Sequence, residues 1–355
     1  MPSPISINAR FLTQPVTGVQ RYSREILNAL DDMLDPGQAV AYCPPNSRIK
    51  VKWKNIYVNK GGWFIGNLWE QFDLPRLSKG TLLFSPANIG PFFKEQQIVT
   101  IHDTSIFAHP EAYTAAFRLK YTTTYRRMAM VAKHIITMSE FSKHELAYWL
   151  NLKPERISVT NEGREHIERT IADQSILDRL SLGGKPFFIV VGSNSPHKNL
   201  KVVLDANALL NQDRYEIVLV GGDFSRVFQS IRHKLASNIK KVGYLCDEEL
   251  KALYCNATGL IFPSLYEGFG LPLVEAMTCS CPVICSDIPS SREVCGDAAL
   301  FFDAKQPEEL TNKLDTLLDN PALASELKES GELRSKLFSW TKMALETKLI
   351  LERYQ

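Results

Sequence analysis

The sequence predicts an α/β protein built from two parallel-sheet domains in series. Three observations carry this. Short β-rich apolar runs alternate with helix-like stretches along the whole chain, a pattern that places helices on both faces of a parallel sheet. A length of 355 residues favours two cores over one. A polar stretch from 162 to 185, ending in Gly183-Gly184-Lys185-Pro186, separates one alternation from the next.

In the first alternation, strands are expected at Ile5–Ala9, Val40–Tyr42, Leu82–Ser85, Ile98–Ile101, Ile135–Met138 and Ile157–Thr160. Helices are expected at Gly18–Leu34, Ala115–Ala132 and Glu140–Leu150, the last with Ser139 as its N-cap. The second alternation is cleaner. Phe187–Val191 is a continuous apolar run closed by Gly192, the signature of a strand buried on both faces. Further strands are expected at Glu216–Val220, Lys241–Gly243, Gly259–Phe262, Val283–Ile284 and Ala299–Phe301. The helices between and after them are Lys198–Leu210, Asp247–Cys255, Leu271–Met277, Pro307–Leu318 and Ala322–Leu337. Two Rossmann-like domains follow, spanning 1–165 and 166–339, with a last helix in 340–355 expected to pack back on the first domain.

Composition narrows the function classes. The chain is 45% hydrophobic and 23% charged, which suits an ordered protein. The opening MPSPISINARFL lacks the charged-then-apolar form of an export signal, and no run of 18 apolar residues occurs, so a cytoplasmic protein is expected. Accordingly the seven cysteines read as free thiols. Cys279, Cys281, Cys285 and Cys295 lack paired zinc spacing and suit small buried positions flanking a strand. A net charge of +2 does not favour nucleic acid. Residues 1–165 nevertheless hold 20 Lys and Arg against 14 Asp and Glu, while 166–355 hold 21 against 25. The basic half suits an anionic partner, including peripheral contact with the inner face of the plasma membrane; ordinary surface scatter is the competing reading.

Ligands of open α/β sheets bind beyond the C-terminal ends of the strands. The first such junction of the second domain reads Gly192-Ser193-Asn194-Ser195-Pro196-His197-Lys198. Gly192 permits a sharp turn, and Lys198, read as starting a helix, sits where cations are unfavourable for the helix but useful to a shared phosphate. A solvated surface lysine is the alternative. Neither a Walker loop nor a G-x-G-x-x-G fingerprint is present, which counts against nicotinamide and flavin enzymes.

The second junction is Tyr266-Glu267-Gly268-Phe269-Gly270-Leu271-Pro272-Leu273-Val274-Glu275. Its glycines bracket a loop able to offer backbone N–H groups to a ligand oxygen, and Pro272 suits a first helical turn. Two carboxylates beside a diphosphate would repel it, so Glu267 and Glu275 fit better as acceptors from hydroxyls. Taken singly, Glu275 also reads as a helix N-terminal acid and Glu267 as a loop cap.

This segment resembles the family-4, or group 1, glycosyltransferases, whose GT-B fold sets two Rossmann-like domains facing across a cleft. The pair Glu267…Glu275 within EGFGLPLVEAM is the most specific match, and the likeness runs on through Pro282–Asp287, Glu293 and Gly296–Ala299. It covers most of 187–337 and the rest more weakly. The resemblance implies that Lys198 contacts a donor diphosphate, Glu275 the ribose and Glu267 the transferred sugar. It further implies that Phe269, Gly270 and Leu271 cradle phosphate and sugar, and that Gly243, Tyr244 and Leu245 hold the base. Thr17-Gly18-Val19 resembles the glycine loop before the first helix, and His102 in Ile101-His102-Asp103 the histidine beside the donor sugar. The sequence departs from the pattern in two ways: Ser193 and Asn194 stand where many members carry an Arg, and Ser280 where a Gly is common.

The resemblance implies retaining transfer by front-face attack, with His102, Lys198 and Glu267 as the catalytic set and no metal or other cofactor. The expected co-substrate is UDP-glucose or GDP-mannose, and the acceptor a saccharide or lipid-linked saccharide in surface polysaccharide synthesis. The basic stretch Arg118, Lys120, Arg126, Arg127, Lys133 is either a membrane-docking face or a solvated one. Competing classes are a UDP-sugar epimerase of the same fold and a non-catalytic sugar-nucleotide-binding subunit.

Overall fold

The computed structural model describes residues 4–47, 51–193, 195–222 and 236–355. The chain forms two compact units, Met1–Gly163 with Ser339–Gln355, and Arg164–Phe338.

The first unit holds seven parallel strands: β1 (Ile5–Asn8), β2 (Ala39–Cys43), β3 (Ile56–Lys60), β4 (Leu83–Ser85), β5 (Gln97–Thr100), β6 (His134–Thr137) and β7 (Ile157–Val159). Their order is β3-β2-β1-β4-β5-β6-β7. The chain builds outward from β1 to β3, then returns to the other side of β1 with β4. β1, β4, β5 and β6 are buried along their whole length, as strands covered on both faces must be. The terminal helix Trp340–Tyr354 lies on this unit. Trp340 meets the ring of Tyr22 edge-on at 6.2 Å, and Tyr354 Oη lies 3.1 Å from His134 Nδ1.

β3 was not anticipated, for a reason that lies outside its own residues. Buried Asp31, at the end of the helix Gly18–Asp31, accepts backbone hydrogen bonds from Lys54, Asn55 and Ile56 at 2.7 to 2.8 Å. That carboxylate fixes the start of an edge strand whose own pattern, one buried residue in five, carries little signal. Short helical turns across Gly66–Leu77 and the helix Pro289–Cys295 were also missed; each is brief and lacks a periodic apolar face.

The second unit holds β8 (Phe187–Gly192), β9 (Glu216–Gly221), β10 (Ile239–Gly243), β11 (Gly259–Phe262), β12 (Val283–Ser286) and β13 (Leu300–Phe302). They run parallel in the order β10-β9-β8-β11-β12-β13. Phe188, Ile189, Leu219, Ile261 and Ile284 are fully buried at the sheet's centre. β8 and β9 approach so closely that a Cβ on Gly221, at φ +126°, would sit 1.9 Å from the carbonyl oxygen of Gly192. Both domains thus reverse direction at one place, between β1 and β4 and between β8 and β11. Ligand crevices form at such switch points.

Ser280 has a φ of +52°, which explains why glycine suits this position. A side chain in the left-handed region costs about 1 kcal/mol. Ser280→Gly is therefore expected to raise stability by ~1 kcal/mol, read from thermal or urea unfolding; no gain would show that the serine is unstrained there.

Candidate functional site

The loops that leave β8 and β11 flank the switch point of the second unit. After β8 the chain makes a 3-10 turn, Pro196–Lys198, then passes Asn199 at φ +51° before the helix Leu200–Leu209 begins. Lys198 therefore closes a turn and does not start the helix, contrary to the expectation from sequence. Asn199 explains the difference: its left-handed backbone ends the turn, and its Nδ2 donates to Ala304 O at 2.7 Å. The loop after β11 is tied to this turn by a backbone bond, Leu265 N donating to His197 O at 2.7 Å.

That tie brings Lys198 against Glu267. Lys198 Nζ lies 2.5 Å from Glu267 Oε1, and it stands 5.8 Å from the centre of the Phe262 ring. The two side chains are 23% and 13% exposed, so the pair is sheltered yet reachable by a ligand. The loop behind them is anchored by Phe269, which is buried and meets Phe338 edge-on at 5.6 Å. Gly270 turns the chain into the helix Leu271–Thr278 at φ +108°, where a Cβ would come within 2.9 Å of Leu273 Cδ1. No other residue fits that corner without displacing Leu273.

Glu275 has partners of its own. Its Oε1 accepts from His166 Nε2 at 2.9 Å and its Oε2 from Tyr254 Oη at 3.1 Å. All three residues are buried. Burial and the neighbouring carboxylate push the Tyr254 hydroxyl well above its ordinary pKa of 10, so it stays protonated and donates. Glu267 and Glu275, read as a pair from their spacing, are thus held by different groups. Sequence reasoning missed both His166 and Tyr254. His166 sits in the stretch that reads as a polar linker and that folds as the short helix Glu165–Glu168. Tyr254 lies on the buried face of the helix Asp247–Asn256, where it reads as core.

The remaining second-unit candidates are more peripheral. Ser193 is exposed and its hydroxyl donates to Ser195 Oγ at 3.0 Å; Asn194 lies outside the described residues. Gly243, at φ +69°, closes β10 beside a register shift, and Tyr244 after it is 75% exposed. Leu245 is half-buried. Among the described residues, no group of three or more His, Cys, Asp or Glu side chains is placed to hold a metal ion.

In the first unit, His102 follows β5 and is buried. Its Nε2 lies 3.0 Å from Pro86 O in the loop after β4. A carbonyl only accepts, so Nε2 carries the proton and Nδ1 offers its lone pair. The backbone N–H of His102 donates to Asn88 Oδ1 at 2.8 Å, and Tyr22 packs edge-on against the ring at 4.6 Å. Burial pulls the imidazole pKa down to about 4, so the ring is neutral near pH 7. Gly18 begins the first helix, and a Cβ there would meet nothing within 4 Å. Packing does not demand this glycine.

Residues 174–334 match the family model described as glycosyl transferases group 1. The chain is 31% identical over 268 residues to O-antigen chain mannosyltransferase B of Escherichia coli, covering 72% of this chain and 70% of that one. It is 27% identical over 318 residues to O-antigen chain mannosyltransferase RfbU of Salmonella typhimurium, covering 84% and 86%. Among solved structures it resembles sucrose-phosphate synthase from Thermosynechococcus elongatus, with a TM-score of 0.79 at 19% identity over 99% of this chain and 98% of that one. With two parallel Rossmann-like sheets of this kind, the chain belongs to the group 1 glycosyltransferases and is a glycosyltransferase of the GT-B fold.

Proposed function

We propose that this enzyme transfers mannose from GDP-mannose, with retention and without a metal, to a saccharide or lipid-linked saccharide in O-antigen-type polysaccharide synthesis. The Lys198–Glu267 pair at the switch point carries the donor-site reading. Likeness to two O-antigen mannosyltransferases favours mannose over glucose.

On this reading the diphosphate binds at Lys198 and the N–H groups of the Gly268–Leu271 loop. The acceptor hydroxyl attacks the anomeric carbon from the face that the diphosphate leaves. As the bond to the β-phosphate oxygen breaks, that oxygen takes the acceptor's proton. Lys198 stabilises the charge on the departing phosphate. Glu267 orients Lys198 and accepts from a sugar hydroxyl. Glu275, its carboxylate held in one rotamer by His166 and Tyr254, accepts from the ribose. Gly243, Tyr244 and Leu245 border the base. In the first unit, His102 presents Nδ1 as an acceptor for a hydroxyl, and Gly18 adds no side chain at the start of its helix.

Lys198→Ala is expected to lower kcat about 10²- to 10³-fold at saturating donor, the scale of losing one preorganised charge on a leaving group. Full transfer activity in that variant would refute the assignment. GDP-mannose is expected to raise Tm more than UDP-glucose at equal concentration, because a ligand stabilises by its affinity; the reverse order would move the donor to UDP-glucose. Because burial lowers the His102 pKa to about 4, its ring resonances should stay constant between about pH 5.5 and 8. A titration near 6.5 would contradict the neutral hydrogen-bonding role.

A further inference from the structure

Part of the first unit's surface is more apolar than a water-facing surface needs to be. Trp63, Ile65, Leu68, Phe72, Phe93 and Leu119 are each 55% to 84% exposed. They come from three segments that touch one another. Phe64 lies 5.9 Å from Phe72 within the first segment, ring to ring. Phe92 N donates to Gln71 Oε1 at 2.8 Å, and Arg127 Nε donates to Phe92 O at 2.7 Å. Between them lies a cleft of about 410 Å³ whose walls include Phe92, Ala116 and Leu119. Large apolar side chains exposed on neighbouring segments mark a surface that meets a partner.

The surrounding charge selects the partner. Residues 51–133 carry 11 Lys and Arg against five Asp and Glu, and two of those acids, Glu70 and Asp73, are buried. Arg76 covers the Trp63 ring at 4.1 Å, and Arg127 stands 5.4 Å from the Phe93 ring. Cations beside aromatic rings at an exposed edge are the arrangement of a membrane interface: the rings enter the headgroup layer while the cations stay at its polar level. Basic groups at such a surface gain from anionic lipid. Among the described residues no helix is long and apolar enough to cross a membrane, so this contact would be peripheral.

We propose that the ridge formed by Trp63, Ile65, Leu68, Phe72, Phe93 and Leu119, with its basic border, docks the enzyme on an anionic lipid bilayer. This deepens the acceptor reading above, since a lipid-linked saccharide is held at such a surface, but it does not need the donor chemistry.

The test is co-sedimentation of the full chain with phosphatidylglycerol-containing vesicles and with phosphatidylcholine vesicles, without donor or acceptor. Binding to the anionic vesicles should exceed binding to the neutral ones at least tenfold and weaken with salt. The triple variant Trp63→Ser, Phe93→Ser, Leu119→Ser changes only exposed side chains. It should keep the wild-type Tm and GDP-mannose binding while its partition falls at least tenfold. Equal binding to both vesicle types, or an unchanged triple variant, overturns the proposal. So does a wild-type oligomer that ignores vesicles and dissociates in the triple variant, which would assign the ridge to a second copy of the chain. Loss of vesicle binding with intact GDP-mannose binding leaves the transferase reading standing.

Discussion

The contact between Lys198 and Glu267 at 2.5 Å is the interaction on which the site depends. A lone carboxylate in a sheltered loop, like a lone ammonium there, would pay for its own desolvation. Together the two charges are tolerated, and on the proposed donor reading a diphosphate would meet a cation already held in place. The pair exists because two loops from neighbouring strands are tied by one backbone bond, Leu265 to His197. Those loops meet because β8 and β11 are adjacent while the chain between them builds the other half of the sheet.

Glu275 shows a different solution to the same problem. It is buried, and its two oxygens accept from the His166 imidazole and the Tyr254 hydroxyl. Both donors lie outside the Glu267–Glu275 segment. They fix the direction of the carboxylate within the fold. The first unit follows a similar logic at His102, where Pro86 O selects the tautomer and burial keeps the ring uncharged.

Much of this was legible from residues alone. Apolar runs gave twelve of the strands at nearly their observed places, the helix Glu140–Leu150 has the expected limits, and Trp340–Tyr354 falls within the expected 340–355. The Glu267–Glu275 segment and Lys198 stand out in the sequence because their pattern is local, and the structure brings Lys198 against Glu267. What was hidden is nonlocal. β3 depends on Asp31, more than twenty residues upstream. His166 reaches Glu275 across 109 positions and sat in a stretch that reads as a linker. The helix expected to start at Lys198 starts two residues later, at Leu200, because Asn199 adopts a left-handed backbone that ends the preceding turn.

The most direct test of the donor site is a calorimetric titration of GDP and GMP into the wild-type protein and into Lys198→Met. If Lys198 holds the terminal phosphate, GDP binds the wild type more tightly than GMP does, and the variant loses most of that difference while its affinity for GMP changes little. Equal GDP affinity in the two proteins would contradict the account, because the residue at its centre would then make no contact with the diphosphate.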